Sequence, residues 1–564
     1  MSWLIAIQGN ISKEEKAYFL SFTPEPIFQF ESEQLFIVAG GLTSTCVRSP
    51  SLTSAKGWII CGTGIIVGSD SSHIMTTDAW GAEMKKNILL AEGQYAGIRW
   101  QSGKIEGFVD RIGLRDLYCF SDGDRKIFST RLDWVSALQR HKKINFRTFG
   151  SRWLTFTQLS MESLLHGVER IKPQKPFEFP EGISTTNEFN NILTSLTYLP
   201  QTQGKRALLG MSGGLDSRLL LSLYSRSDFR DLDLFTFGAS EHPDVKISKQ
   251  ICTELKLRQK IIFTPVHDDA DFYIREISGF LRHSNAGRRA SAFLQLGHYD
   301  LLRSDNTIVI DGAFGELARR QLLNRLLLKG RSVLFAGNAD EMFRHLKVYR
   351  SNMFSEEIQQ EMERGAKDDI QRLIEVLPKI SIIGPENWVD LFAIRSIVPN
   401  VLGYEQSRTD HYVQSFMPFV QPSLLEKTLL LPLEERRKGK LFRKLIAKNA
   451  PVLTGYPLVR HNISYPYNFS ALPSYLWMRM KQKAGMAFED PSGKQLLMVL
   501  KEYILDRMHS KVFIDCPYYD HKKIIALAEN FYSGNDAAAT ELDWWLAFEL
   551  WRSNVEAFNP IEHR

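Results

Sequence analysis

Residues 207–224 read ALLGMSGGLDSRLLLSLY, which predicts a buried strand, a glycine-containing loop and an apolar helix in direct succession. Two adjacent glycines let the loop turn tightly and let a ligand approach its backbone. The first N–H groups of the following helix have no partner within the helix, so they form a natural site for phosphate. The loop therefore predicts an anion site that comprises Ser212, Gly213, Gly214, Leu215, Asp216 and Ser217.

The sequence on either side of this loop falls into three regions. Up to about residue 180, short apolar runs such as LFIVAG, GWIICGTGIIVG and YAGIRW are broken by Gly, Asp and Ser, which predicts a mainly β region. From Arg206, short strands alternate with amphipathic helices, which predicts a parallel sheet covered by helices on both faces. Beyond Glu316 the sequence is predominantly helical. We predict domains at 1–185 and 206–564, joined by a helix and linker at 186–205.

Length and composition limit the class of protein. At 564 residues the chain is too long for one ordinary core, and its 24% of charged residues is typical of a soluble globular protein. The net charge of +6 is spread along the chain, which suits a polyanionic ligand such as ATP but does not indicate nucleic acid.

The five cysteines show no CxxC pair and no zinc-ligand spacing, which favours a reducing compartment. The N-terminus lacks the pattern of a signal peptide, and no run approaches the roughly 18 apolar residues of a membrane span. We expect a cytoplasmic enzyme with no nucleic-acid and no membrane partner.

The loop at 212–217 is neither of the two commoner phosphate signatures, because it contains no GxGxxG and no GxxxxGK[ST]. It resembles the PP-loop of ATP pyrophosphatases, which cut ATP between the α and β phosphates. The resemblance implies ATP and Mg²⁺ as cofactors, with Asp216 acting through the metal, since Mg²⁺ prefers oxygen ligands and needs only one or two from protein. The structural alternative is a helix start capped by Ser and Asp after a glycine turn.

Three downstream segments narrow the resemblance. The segment LFTFGASEHPDVKISKQICTELKL is similar to the second strand and helix of asparagine synthetases, which implies that Gly238 and Asp244 border the nucleotide. The segment GRRASAF resembles their RAS-containing segment and makes Arg289 a candidate phosphate contact and catalytic residue. The segment NTIVIDGAFGELARR resembles their LSGEGADELFGG loop, which implies that Gly312 contacts the nucleotide and that Glu316 is the second metal ligand.

The chain thus resembles the asparagine synthetase and β-lactam synthetase family, in which an α/β PP-loop domain of the adenine nucleotide α-hydrolase type carries the chemistry. It also departs from the family. Ala313 stands where asparagine synthetases have a glutamate and β-lactam synthetases a tyrosine, so a proton-transfer role at this position is absent. Asp311 or Glu405 is an alternative base.

The family lysine that stabilises the adenylate has no direct counterpart in this chain. The segment KLFRKLIAKNAPVLTGYPLVRHN resembles the stretch in which a lysine normally stabilises the adenylate, but Asn462 or His461 falls at its place. Lys444 and Arg460 are the candidate catalytic replacements, with Lys440 a further one. The structural alternative for each is a solvated residue on the surface of a helix.

The front region resembles a second enzyme type. Residues 110–118, DRIGLRDLY, are similar to the RDxxGxRPLYY hairpin of class II glutamine amidotransferases, which implies an α+β domain with an Ntn-type β sandwich. A glutaminase of this class needs an exposed N-terminal cysteine as nucleophile. This chain begins Met1-Ser2-Trp3 and has no NGEIYN-like stretch for a glutamine pocket. We expect a degenerate domain without glutamine hydrolysis, with Ser2 as nucleophile the less favoured alternative.

Relatives that lack this cysteine include β-lactam and carbapenam synthetases and lasso-peptide cyclases. The missing tyrosine at Ala313 and the long helical back half favour a lasso-peptide cyclase. We predict ATP-dependent amide-bond formation through an acyl-adenylate, with closure of a macrolactam within a peptide. The implied partners are a precursor peptide or small carboxylic acid, with a leader-binding protein and a protease in the cyclase case. The alternatives are amidation with ammonia or a small amine, and a catalytically silent scaffold that binds ATP or a peptide.

Overall fold

The computed structural model describes residues 2–137, 139, 142–410 and 412–557. Its front region contains eleven strands, β1 (Trp3–Gln8), β2 (Pro26–Glu31), β3 (Leu35–Gly40), β4 (Cys46–Arg48), β5 (Lys56–Ile66), β6 (His73–Ile74), β7 (Glu92–Gln101), β8 (Lys104–Val109), β9 (Tyr118–Asp122), β10 (Arg125–Ser129) and β11 (Val168–Arg170). Four helices accompany them, α1 (Lys13–Phe22), α2 (Thr77–Glu83), α3 (Leu132–Ser136) and α4 (Phe146–Leu154).

These strands form two antiparallel sheets that pack face to face. One sheet has the order β11-β9-β10-β1-β3-β2, and the other has the order β4-β5-β7-β8 with β6 beside β5. Side chains alternate along each strand, so Leu4 of β1 packs against Ile59 of β5 between the sheets. Trp3 and Ile5 point to the outer face, where α1 and α3 cover them. The predicted strand-rich front region is confirmed, and its relation to amidotransferases stays a prediction.

A parallel sheet follows the connecting helices α5 (Thr186–Thr197) and α6 (Leu199–Thr202). Its strands are β12 (Arg206–Gly210), β13 (Leu232–Phe237), β14 (Arg258–Ile262), β15 (Thr307–Ile310) and β16 (Ser415–Phe416), in the order β14-β13-β12-β15-β16. Helices α7 (Leu215–Ser222) and α8 (Pro243–Leu255) share a buried core with one face of the sheet. The predicted strand, loop and helix around residues 207–224 are confirmed.

The strand order creates a crevice between β12 and β15. The chain leaves β12 toward β13 and β14 on one side, and it returns on the other side as β15. In open α/β sheets, ligands bind beyond the carboxyl ends of the strands at such a topological switch point. The loops that follow β12 and β15 therefore lie at the place where a ligand is expected.

The remainder is largely helical, as predicted. Its helices are α9 (Ala270–Ser284), α10 (Phe293–Leu296), α11 (Gly315–Ala318), α12 (Asn324–Lys329), α13 (Arg331–Ala336), α14 (Ala339–Leu346), α15 (Glu356–Val376), α16 (Ile380–Ile383), α17 (Pro385–Thr409), α18 (Pro422–Leu430), α19 (Leu433–Arg436), α20 (Lys440–Asn449), α21 (Ala471–Lys483), α22 (Ser492–Val499), α23 (Lys501–His509), α24 (Lys511–Ile514), α25 (His521–Tyr532) and α26 (Ala539–Ala557). A short hairpin of β17 (Leu458–Arg460) and β18 (Ile463–Tyr465) interrupts them. Among the described helices, none has both the length and the apolar character needed to cross a bilayer.

Helices α4 and α15 join the front region to the back. A Cβ atom built on Gly150 of α4 would lie 2.1 Å from the carbonyl oxygen of Met362. One built on Gly365 of α15 would lie 2.0 Å from the carbonyl oxygen of Arg147. Each helix needs a residue without a Cβ at its contact point, because the two backbones touch there. The front and back of the chain consequently share one hydrophobic core.

Candidate active site

The loops after β12 and β15 touch each other. A Cβ atom built on Gly312 would lie 3.4 Å from the amide nitrogen of Ser217. One built on Gly315 would lie only 2.4 Å from both Cγ and Oδ1 of Asp216. The second distance is far below any ordinary contact, so Gly315 is required for the Asp216 carboxyl group to occupy its place. The structure thus brings both sequence-predicted loops into one site.

The phosphate-loop candidate is held in shape by several bonds. The Ser212 amide donates to Ser217 Oγ at 3.2 Å, and the Gly214 amide donates to Ser212 Oγ at 3.2 Å. The Gly213 amide donates to Asp244 Oδ1 at 2.7 Å. The Gly213 carbonyl accepts from the Val459 amide of β17 at 2.9 Å. Asp244 therefore lies at the loop, and its contact is with the loop backbone; a contact with the nucleotide stays a prediction.

Asp216 lies in the first turn of α7 with one oxygen paired and one free. Its Oδ2 accepts a hydrogen bond from Nη2 of Arg319 at 2.7 Å. Its Oδ1 is buried and has no partner among the described residues. Burial raises the pKa of Asp216 to about 6, although Arg319 acts in the opposite direction. Glu316 lies beside the pair, with Oε1 3.7 Å from the same nitrogen of Arg319.

This arrangement fits a magnesium ion that is bound mainly by phosphate oxygens. Two carboxyl groups, from Asp216 and Glu316, converge on a single cationic nitrogen, and one buried oxygen is still free. Mg²⁺ is usually held by one or two carboxylates together with substrate phosphates and water. In the part of the chain that the structure describes, no cluster of three or more His, Cys, Asp or Glu side chains could hold a metal. The residues fit a metal that arrives with a nucleotide.

Arg319 is a functional candidate that the sequence analysis missed. It lies just after α11, with Nη1 donating to Gln321 Oε1 at 2.6 Å and Cζ 5.8 Å from the ring centre of Phe442. Its side chain is 11% exposed, so the charge is enclosed at the site. The available signal was the pair of consecutive arginines, Arg319 and Arg320, which follow three and four residues after Glu316.

Arg320 holds the loop at 311–316 and α11 in place through a buried ion pair. Its Nη1 lies 3.1 Å from Oδ1 of Asp390, a fully buried carboxylate that also pairs with Arg436. Arg436 in turn donates to the carbonyl of Leu317 in α11 at 3.1 Å. The two arginines and the aspartate thus fix α11, which carries Gly315 and Glu316, against α17 and α19.

A large cavity lies near the phosphate loop, because His242, 3.7 Å from Asp244, is among its lining residues, whereas no residue of 212–217 or 311–316 lines it. Its volume is about 1390 Å³, and Gly238 and Arg289 are among the residues that line it. Gly238 has φ +126°, a conformation that favours glycine in the turn after β13. Arg289 lies 3.8 Å from Asp543 and keeps a half-exposed side chain. Small-molecule sites usually enclose about 300–1,000 Å³, so this cavity has room for more than one ligand.

The candidates for the missing lysine lie elsewhere. Lys444 is exposed on α20, whose buried face packs on α7. Arg460 is exposed at the end of β17, one residue after the partner of the phosphate loop. Neither side chain lines the cavity, whereas Asn462 does. Lys440 lies 3.8 Å from Glu434 on the surface. A catalytic role for any of these cations stays a prediction.

The two alternative bases already have partners. The Oδ1 atom of Asp311 accepts from the Ala313 amide at 3.0 Å, and burial raises its pKa. Glu405 lies 2.8 Å from Arg288 and 2.6 Å from Arg408. Burial acts to raise the pKa of Glu405, but the two arginines lower it below its usual value. A carboxylate paired in this way is a weak base.

Ser2 is enclosed in the front region. Its side chain is fully buried, and its Oγ has no partner among the described residues. Its carbonyl accepts from Nη2 of Arg115 at 2.8 Å, and Arg115 forms a buried ion pair with Asp410. The Ser2 hydroxyl is therefore not open to solvent, and Met1 lies outside the described residues.

The chain matches a known protein family. A family model described as asparagine synthase matches residues 206–553, which is more than half of the chain. The matched range contains both loops, Arg319 and most of the cavity wall. None of the curated proteins matches the chain.

Proposed function

Since the chain belongs to the asparagine synthase family, we propose that it closes an amide bond within a peptide substrate, as lasso-peptide cyclases do. Membership of the family implies ATP-dependent formation of a C–N bond through an acyl-adenylate. The observation that carries the proposal is the convergence of Asp216 and Glu316, from two facing loops, on Arg319. A cavity of about 1390 Å³ on the neighbouring elements offers room for a peptide.

The first step is activation of a carboxyl group. The amides at the start of α7 offer donors to the phosphates of ATP, because the first N–H groups of a helix have no partner within it. Asp216 and Glu316 would hold Mg²⁺, which neutralises charge on the phosphates when it is bound. Arg319 places a fixed positive charge between the two carboxylates, and the substrate carboxylate attacks the α-phosphorus while pyrophosphate leaves.

The second step is attack by an amine on the activated carboxyl group. The cavity holds both ends of the substrate together, and positioning of this kind supplies several kcal/mol of a barrier, on the order of 7–11. Exclusion of water protects the adenylate from hydrolysis. Enclosure of the Ser2 hydroxyl supports an amine of the substrate, rather than glutamine-derived ammonia, as the nitrogen source.

A second candidate function is a catalytically silent scaffold that binds ATP or a peptide. Two observations favour it. Arg319 already pairs with Asp216, and Ala313 offers no base near the reacting groups. The scaffold would bind nucleotide without releasing pyrophosphate.

The test is release of pyrophosphate and AMP from ATP and Mg²⁺ by the purified protein with linear candidate peptides. Asp216→Ala is compared with Asp340→Ala, a variant at an exposed aspartate of α14. We expect peptide-dependent pyrophosphate and a product lighter than the peptide by one water, both lost only in Asp216→Ala. Dependence on added ammonia would instead indicate intermolecular amidation. Bound nucleotide without turnover would favour the scaffold.

A further inference from the structure

We propose that Arg288 and Arg350 bind a second carboxylate of the substrate, one that is not activated by ATP, and that Arg152 adds positive charge behind them; these three residues are here called the arginine cluster. The identity of the ligand as a substrate rests on the proposed function. Arg288 and Arg350 line the same cavity as Gly238, and Arg152 lies behind them. A carboxylate held by several arginines loses nucleophilicity, so the cluster suits a group that is retained rather than consumed.

Arg350 is fixed in place by neutral groups alone. Its Nε donates to the carbonyl of Trp153 at 2.8 Å, and its Nη2 donates to those of Thr155 and Phe156, both at 3.0 Å. Its Cζ lies 4.1 Å from the ring centre of Trp544. No carboxylate of the described residues pairs with it, and burial lowers its pKa to about 10. A half-buried cation without a counter-ion costs free energy, part of which a bound anion would recover.

The other two arginines add to the same surplus of positive charge. Arg152 donates to the carbonyl of Asn285 at 2.8 Å and lies over the ring of Tyr404, with Cζ 5.3 Å from its centre. Arg288 binds Glu405 through Nε at 2.8 Å, which leaves its terminal nitrogens for the cavity. Glu405 also pairs with Arg408, so this carboxylate is shared between two arginines.

The buried acidic side chain of Asp543 also lines the cavity, but its partners are the Ser291 amide at 2.9 Å and Arg289 at 3.8 Å. It therefore does not neutralise the arginine cluster.

The other acidic side chains that line the cavity are exposed or locally paired. The side chains of Glu489 and Asp536 are 86% and 67% exposed, and both lie near Lys494. Asp490 accepts from the Ser492 amide at 3.0 Å. Exposed charges are strongly screened by water and salt, whereas the charges of the buried Arg152 and the half-buried Arg350 are screened less. The cavity is therefore electrostatically positive at the arginine cluster.

The surroundings of the cluster indicate the kind of substrate. A guanidinium group presents a fork of donors that matches a carboxylate bidentately. Phe156, Tyr349 and Trp544 line the same wall and provide apolar and aromatic surface. A peptide segment with an acidic residue next to an aromatic or apolar one fits both features.

The test is equilibrium binding to the full-length protein without ATP, using acetyl-Phe-Glu-amide and its neutral counterpart acetyl-Phe-Gln-amide. We expect the Glu peptide to bind about tenfold more tightly. Arg350→Gln and Arg288→Gln should remove this difference, and thermal unfolding of both variants checks that they are folded. Arg344→Gln is the matched control, because its side chain is 72% exposed on α14.

The nucleotide provides the second arm. The affinity for α,β-methylene-ATP with Mg²⁺ should change by less than about twofold in both variants. A parallel loss of nucleotide affinity would show that the cluster serves the phosphates and would overturn the proposal. Equal binding of the two peptides, or no binding of either at about 10 mM, would overturn it as well. Binding requires no turnover, so the result is independent of the pyrophosphate test.

Discussion

Replacement of Gly315 by alanine tests whether the two loops form one catalytic site. The new Cβ would lie 2.4 Å from Cγ and Oδ1 of Asp216 and 3.0 Å from its Cβ. Carbon atoms pack at about 3.5–4.0 Å, so the carboxyl group would have to move by roughly 1 Å. A displacement of that size costs about 100-fold in rate, and overpacking costs about 1–3 kcal/mol of stability. We expect the rate of pyrophosphate release to fall about 100-fold.

The assay pairs this variant with Gly279→Ala. Gly279 lies within α9, and a Cβ built there meets no heavy atom within 4 Å. Alanine is a better helix former than glycine by about 1 kcal/mol, so the control should be at least as stable as the unmodified protein. Peptide-dependent pyrophosphate release and Mg²⁺-dependent binding of α,β-methylene-ATP are measured for both. Unchanged values for Gly315→Ala would refute the conclusion that the position of Asp216 depends on the second loop.

Three further predictions concern buried charges. Arg319→Ala should weaken binding of α,β-methylene-ATP without Mg²⁺ by about tenfold, because Asp216 loses its cation; equal affinities in a binding titration would contradict this. Asp390→Asn leaves the buried Arg320 and Arg436 without a counter-ion, so it should lower the free energy of unfolding, measured in urea, by about 3–5 kcal/mol. The control Asp368→Asn, at an exposed aspartate, should lower it by about 1 kcal/mol or less. Burial raises the pKa of Asp369 to about 6, so its contribution to stability is complete below about pH 4 and is lost as pH rises through 6. Asp369→Asn should remove this loss, and parallel curves of unfolding free energy against pH for variant and unmodified protein would show the reasoning to be wrong.

Local pattern was enough to predict the elements that hold the site. The strand β12, the loop and α7 follow one another within residues 206–222. The pattern of apolar residues within each segment is sufficient to predict the element that it forms. The facing loop at 311–316 was predicted from its resemblance to a family motif. The structure shows that the two loops meet at Gly315 and Asp216.

The contacts made by charged residues were not predictable in the same way. Arg319 and Asp216 are 103 residues apart, and only the packing of α11 against α7 makes them partners. Lys444 shows the opposite case, since its helix was correctly expected but its side chain is exposed on the outer face. The arginine cluster combines residues from three distant segments. No local pattern distinguishes such arginines from solvated ones.

The contact between α4 and α15 also has a consequence for folding of the chain during its synthesis on the ribosome. About 200 residues separate Gly150 from the backbone it touches, and chains grow at about 5–20 residues per second. Helix α15 is therefore synthesised roughly 10–40 s after α4. Phe149 and Trp153, which are buried in the finished core, also contact Phe548 of α26, so they remain uncovered for longer still. Translation speed across this interval, and any chaperone that holds the nascent front region, should thus govern how much of the protein reaches the native state.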